Sequence, residues 1–148
     1  MATWPYLLFG LAAGAMLPFQ AGINAALAGY LGSPIRAALV SFAVGTAALL
    51  LLVLAAFRDW PGQAQVAGAP WWVWVGGLLG AFYVAGSIVV APRLGAVTLV
   101  AILLAGQTLA SLLVDHYGWV GFEEQTVTPG RALGLVLVAA GVALVRFT

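Results

Sequence analysis

The run from Trp4 to Tyr30, WPYLLFGLAAGAMLPFQAGINAALAGY, contains no acidic or basic residue. It exceeds the roughly 20 apolar residues that cross the hydrocarbon core of a bilayer, so a helix of this length has to tilt, kink or protrude. Pro18 supplies the expected kink, because proline has no backbone N–H and its ring crowds the carbonyl of Gly14. In a membrane the freed carbonyl needs a neighbouring protein group or a trapped water. The segment Pro18-Phe19-Gln20-Ala21-Gly22-Ile23-Asn24 is therefore polar and helix-breaking inside an otherwise apolar run. Gln20 and Asn24 are four residues apart, about 40° from each other around a helix, and share a face with Met16. That face is a candidate lining for a solute cavity, since polar groups at membrane depth are commonly functional. The competing reading is that the two amides join helices by interhelical hydrogen bonds.

The whole chain agrees with the first span. Of its 148 residues, 64% are hydrophobic and 6% charged, with a mean hydropathy of +1.12, against about 25% charged residues in a soluble domain. An integral membrane protein is expected, with the lipid bilayer as its first partner. Net charge is +1 and the basic residues are five dispersed arginines, so no basic patch for nucleic acid or for a polybasic lipid anchor exists. The absence of cysteine excludes disulfides, thiolate metal sites and thiol catalysis. The start Met1-Ala2-Thr3-Trp4-Pro5 lacks a positive region, so the first stretch is read as a retained span and not as a cleaved signal.

Outward from the first span, Gly32-Ser33-Pro34 makes a turn with Ser33 as N-cap and Pro34 at the first helical position. A second span is expected over about 34–57, closed at an interface by Arg58-Asp59-Trp60-Pro61-Gly62. A polar loop runs to Pro70, and Trp71, Trp72 and Trp74, with Trp60, form an aromatic belt at the mouth of a third span over about 71–91. Pro92-Arg93-Leu94-Gly95 reads as a tight connection to a fourth span over about 96–114. After the loop from Asp115 to Thr128, Thr128-Pro129 repeats the cap-and-proline start of a fifth span, about 129–146. Glycines at 10 and 14, at 76, 77 and 80, and at 134 and 141 mark expected helix contact faces. The fold class is thus all-α, a single transmembrane domain of five helices over residues 1–148.

Five spans place the termini on opposite sides. Arg58 and Arg131 then fall on one side and Arg36, Arg93 and Arg146 on the other, which is almost no bias for the positive-inside rule to act on. Insertion in both orientations follows, and with it an antiparallel homodimer, an inverted-topology pair of the kind transporters use for alternating access.

A second polar run lies in the fourth span. Gln107, Ser111 and Asp115 advance by four, spanning about 80° of one face, with Thr108 beside them. Gln20 and Gln107 both sit at membrane depth by count, so the two faces are expected to meet in one cavity, with Ser111 and Asp115 marking its path to water. Asp115 is read either as a boundary carboxylate capped by water or Arg131, or as part of solute or ion entry. His116 is read as a solvated boundary residue, and Glu123 and Glu124 as a solvated loop face. Phosphate-loop, zinc-protease and serine-hydrolase motifs are absent. No catalytic residue, metal site or cofactor is expected, and the chain is read as a non-enzyme. Amides both donate and accept, so the site suits a neutral or zwitterionic small polar solute better than a bare cation. The alternative is a non-transporting membrane subunit whose buried amides only pack helices.

Pro18 to Ala25, Pro70-Trp71-Trp72 with Gly76-Gly77-Leu78-Leu79-Gly80, Ala91 to Gly95, Gly106-Gln107, Asp115-His116-Tyr117-Gly118, and Arg131 to Gly134 with Gly141 together resemble the bacterial YdcZ-like family. That family comprises small membrane proteins of unknown function with about five expected spans, assigned to the drug/metabolite transporter superfamily and often discussed as dual-topology or fused pairs. The resemblance covers nearly the whole chain and implies a drug/metabolite transporter-like fold, an inverted repeat completed by an antiparallel second copy, and multi-pass residence in the bacterial inner membrane. The related small multidrug resistance proteins carry a glutamate in their first span. This first span has none, so their proton-for-cation mechanism does not transfer.

Overall fold

The computed structural model describes residues 3–57 and 61–147. Arg58, Asp59 and Trp60, expected at an interface, lie outside the described residues, which form helices and turns and no strand. Five α-helices follow in order: α1 (Trp4–Leu31), α2 (Pro34–Ala56), the short α3 (Gln63–Ala67), α4 (Gly76–Tyr117) and α5 (Pro129–Phe147), with 3₁₀ turns at Trp71–Trp74 and Trp119–Gly121. Among the described residues, four helical stretches are long and apolar enough to cross a membrane: α1, α2, Trp71–Tyr117 and α5.

Helix ends obey local chemistry. Gly32 takes the left-handed conformation, φ 66°, that closes a helix C-terminus without the strain a Cβ would add. Ser33 then caps α2, its Oγ accepting from Arg36 N at 3.4 Å, with Pro34 at the first position. The Arg36 guanidinium reaches back to donate to Leu31 O at 3.1 Å, placing a cation on the carbonyl end of α1, where the helix dipole favours it. Thr128 does for α5 what Ser33 does for α2, its Oγ1 accepting from Arg131 N at 3.3 Å.

The connection expected at Pro92–Gly95 falls at its last residue: the stretch written α4 is two helices that meet at a kink at Gly95. α4 continues through Pro92, and only Gly95, at φ 74° and ψ 166°, leaves helical geometry. Pro92 leaves the carbonyl of Ile88 without its helical donor, and the Arg93 guanidinium donates to the next carbonyl, Val89 O, at 3.3 Å. The Gly95 conformation is nearly restricted to glycine.

The chain divides into two compact units, Phe19–Arg93 and the remainder, with boundaries at Pro18 and at Arg93. In the first, the core is Ala37 and Ala38 of α2 against Val84 and Ile88 of α4, with Leu27 and Ala28 of α1 packed on them. Alanines at the centre let the helices approach closely. In the second, Thr98 and Leu99 are buried, whereas α5 buries no residue at all.

The glycines expected at helix contacts mostly meet nothing. A Cβ added at Gly80 would lie 3.4 Å from the Phe42 ring, but at Gly10, Gly14, Gly76, Gly77, Gly134 and Gly141 it would find no atom within 4 Å. A single chain leaves those faces uncovered. Gly95 is likewise open, so its constraint is conformational and not steric. Gly95→Ala should lower the unfolding free energy by about 1–3 kcal/mol. Gly86→Ala, also in open space but in ordinary helical geometry, should raise it by about 0.5–1 kcal/mol. Denaturant titration of the detergent-purified variants checks both.

Candidate functional site

The C-terminal part of α4 carries Gln107, Ser111 and Asp115 on one face, and a groove opens on each side of that stripe. One, of about 400 Å³, is lined by Thr108, Ser111, Leu112 and Asp115 of α4 and by Arg131, Gly134, Leu135 and Val138 of α5. The other, of about 300 Å³, is lined by Gln107, Ala110, Ser111, Val114 and Asp115, with Val120 and Phe122 from the following loop. Ser111 and Asp115 border both. Gly134, lacking a side chain, leaves the wall of the first groove low, and both grooves combine apolar walls with a few polar groups, as small-molecule sites do.

Asp115 is held from its backbone outward. Gly118, left-handed at φ 60°, ends α4, and Asp115 O accepts from Gly118 N at 3.4 Å and from Gln125 N at 2.7 Å. The loop is thereby folded back over the end of α4. Its side chain faces Arg131, with Oδ2 3.5 Å from Nη1, the two side chains being 31% and 36% exposed. Arg131 Nη2 donates to Gln125 Oε1, so one residue of the loop grips both partners. Arg131 Nη1 is itself enclosed yet has no hydrogen-bond acceptor. The boundary carboxylate facing Arg131 is therefore present, and it stands in the wall of both grooves.

Two further features of the loop were not evident from sequence. Val120 has φ 51°, rare for a β-branched residue, and lines the second groove with Phe122. Tyr117 stacks on Trp119 at 5.0 Å between ring centroids, and His116 meets Tyr117 edge-on at 4.8 Å. His116, read from the sequence as a solvated boundary residue, is half-buried, with Nδ1 enclosed and unpaired. Arg131 and Gln125 carry the only sequence signal available for this cluster, opposite charge and an amide within one loop of Asp115.

Gln20 and Asn24 belong to the other unit. Gln20 is exposed, and Asn24, one turn on, is 4% exposed, with its Nδ2 unpaired. Other hydroxyls are closed onto their own helices: Ser87 Oγ donates to Val84 O at 2.8 Å, and Thr108 Oγ1 lies 2.8 Å from Leu104 O and 3.0 Å from Ala105 O. The expected solvated face at Glu123 and Glu124 is exposed. Among the described residues no group of three or more His, Asp or Glu is placed to hold a metal.

The model of a family described as "Putative inner membrane exporter, YdcZ" matches residues 5–144. The chain belongs to that family. The inner membrane protein YdcZ of Escherichia coli is 34% identical over 80 residues, which is 54% of this chain and 53% of that protein, so the chain spans about half the length of the curated relative it matches. No solved structure matches the chain. Family, relative and four membrane-length apolar helices make this a multi-pass inner membrane protein, and the family description is that of a transporter and not of an enzyme.

The unpaired Asn24 separates packing from other roles. If its amide joined helices, Asn24→Ala would cost the roughly 1–3 kcal/mol of a broken buried hydrogen bond. With no partner on Nδ2, the expected loss is below about 1 kcal/mol, checked by denaturant titration in detergent.

Proposed function

We propose that this protein exports a small polar molecule across the inner membrane, working by alternating access as a dual-topology, antiparallel homodimer. The carrying observation is the stripe Gln107–Ser111–Asp115 between two grooves in a chain of an exporter family. Gln107 and Ser111 contact solute and Asp115 stands near the entrance, while Gln20 and Asn24 form a second polar set in the other unit. Pro18, at the boundary between units in α1, kinks that helix and permits the polar set below it to open.

Five crossings and one transmembrane domain belong to the same reading. The 42 residues of α4 are about twice the roughly 20 that cross a bilayer core, and non-helical backbone at Gly95 breaks them. Divided at Gly95, segments 76–94 and 96–117 are each about one crossing long. The dimer is supported by the near-equal arginine split and by the open glycines at 10, 14, 134 and 141, since close backbone approach is what such faces provide. In the rival reading, a non-transporting subunit with amides as helix glue, that glue would have to reach a second chain, since neither Gln20 nor Gln107 makes a side-chain hydrogen bond among the described residues.

Efflux of a panel of small polar solutes from proteoliposomes tests the proposal. Wild-type protein should release at least one, and Gln107→Leu should reduce its rate about fivefold or more, an unmade hydrogen bond in the occupied site being worth about 1–3 kcal/mol, with an unchanged size-exclusion profile. C-terminal reporter fusions should show both orientations in cells. Two arginines added beside Gly62 should shift the population towards an N-terminus in the cytoplasm; a native chain found in one orientation overturns the antiparallel dimer.

A further inference from the structure

Asp115 and Arg131 are a poorly closed pair. Their nearest charged atoms are 3.5 Å apart, beyond the 2.7–2.9 Å of a good charge-assisted hydrogen bond. Arg131 Nη1 accordingly has no hydrogen-bond acceptor although it is enclosed, a state that costs free energy wherever water cannot make up the bond. The arginine is nonetheless held in position. Its backbone N–H is fixed by Thr128 Oγ1 and its Nη2 by Gln125 Oε1. Asp115 and Arg131 both border the same groove of about 400 Å³, so a solute seated there can open the pair and reach the enclosed Nη1. That volume lies at the small end of the range for small-molecule sites.

We infer that the solute is a zwitterion with its ammonium and carboxylate close together, the ammonium on Asp115 and the carboxylate on Arg131. This rests on the transporter reading above and names the substrate class of that site. A solute carboxylate accepting from Nη1 satisfies the donor that Asp115 leaves unmet. Asp115, released from Arg131, then accepts from the ammonium, and Ser111 one turn deeper offers a hydroxyl. The two protein charges cancel, so a zwitterion leaves the site neutral. A bare cation or anion would instead leave one charge of the opened pair without a partner, which is costly wherever water is scarce. The groove beyond the pair is walled by Leu112, Leu135 and Val138, so an aliphatic side chain on the zwitterion is accommodated.

The test is a binding titration of the purified full-length protein in detergent at neutral pH with four probes of one shape. These are leucine (zwitterion), leucinamide (cation), N-acetyl-leucine (anion) and N-acetyl-leucinamide (neutral). Leucine should bind at least tenfold more tightly than each singly charged probe. Asp115→Asn should abolish the preference for leucine over N-acetyl-leucine while keeping the preference over leucinamide, and Arg131→Gln should do the reverse. A pair that merely holds the loop would not produce that crossed pattern. Equal weakening of all four probes by both variants, an unmodified preference in both, or N-acetyl-leucinamide binding as tightly as leucine would overturn the assignment. So would absence of leucine binding. None of these results touches the broader transporter reading, which fails only if the proteoliposomes release no solute or if release is indifferent to Gln107→Leu.

Discussion

A backbone passing through hydrocarbon has no water to bond, so each N–H and C=O must find a partner inside the protein. Long helices meet this demand over most of the chain, and the polar residues that break the apolar pattern cluster where helices end or are interrupted. Ser33 and Thr128 cap helix starts, Arg36 reaches the last carbonyl of α1, and Gln125 N–H covers the Asp115 carbonyl at the end of α4. Arg93 does similar service beside Pro92. Four of the five arginines lie among the described residues, and three of these have a guanidinium bonded to an oxygen near a helix terminus or interruption.

This use of polar groups makes the remainder informative. Ser87 and Thr108 turn their hydroxyls back onto their own helices, which suits a lipid-facing or packed position and offers little to a solute. Gln107, Ser111 and Asp115 share a face bordered by two grooves. Asp115 in particular combines a well-anchored backbone with a partly exposed side chain that faces Arg131 across 3.5 Å, and it is Arg131 Nη1 that is left without an acceptor.

Packing within one chain is thin. The buried apolar set of the Phe19–Arg93 unit centres on two alanines, a valine and an isoleucine, and α5 buries nothing. In water such exposure would be untenable; in a bilayer, lipid covers large side chains as well as protein does, and association instead relies on close packing between small residues. The open glycine faces of α1 and α5 are therefore places where a helix gains contacts from a neighbour that lipid supplies poorly.

Membrane residence, helix class, the caps at Ser33 and Thr128 and the stripe at Gln107, Ser111 and Asp115 were all legible in the sequence. Each depends on composition or on spacing of a few residues, and in hydrocarbon those local rules have no competitor. The continuation of helix through Pro92 as far as Gly95 was not legible, because whether a proline ends a helix depends on the packing around it and not on local sequence alone. Nor was the contrast between Gln20, exposed, and Asn24, enclosed, which depends on which helices cover that turn of α1. The glycine spacings looked like contacts, but only Gly80 met another side chain among those singled out, since spacing specifies a face and not its occupant. The loop's grip on Asp115 and Arg131 through Gln125 was likewise a tertiary decision: it depends on a left-handed turn at Gly118 and a return of the chain that no local periodicity encodes.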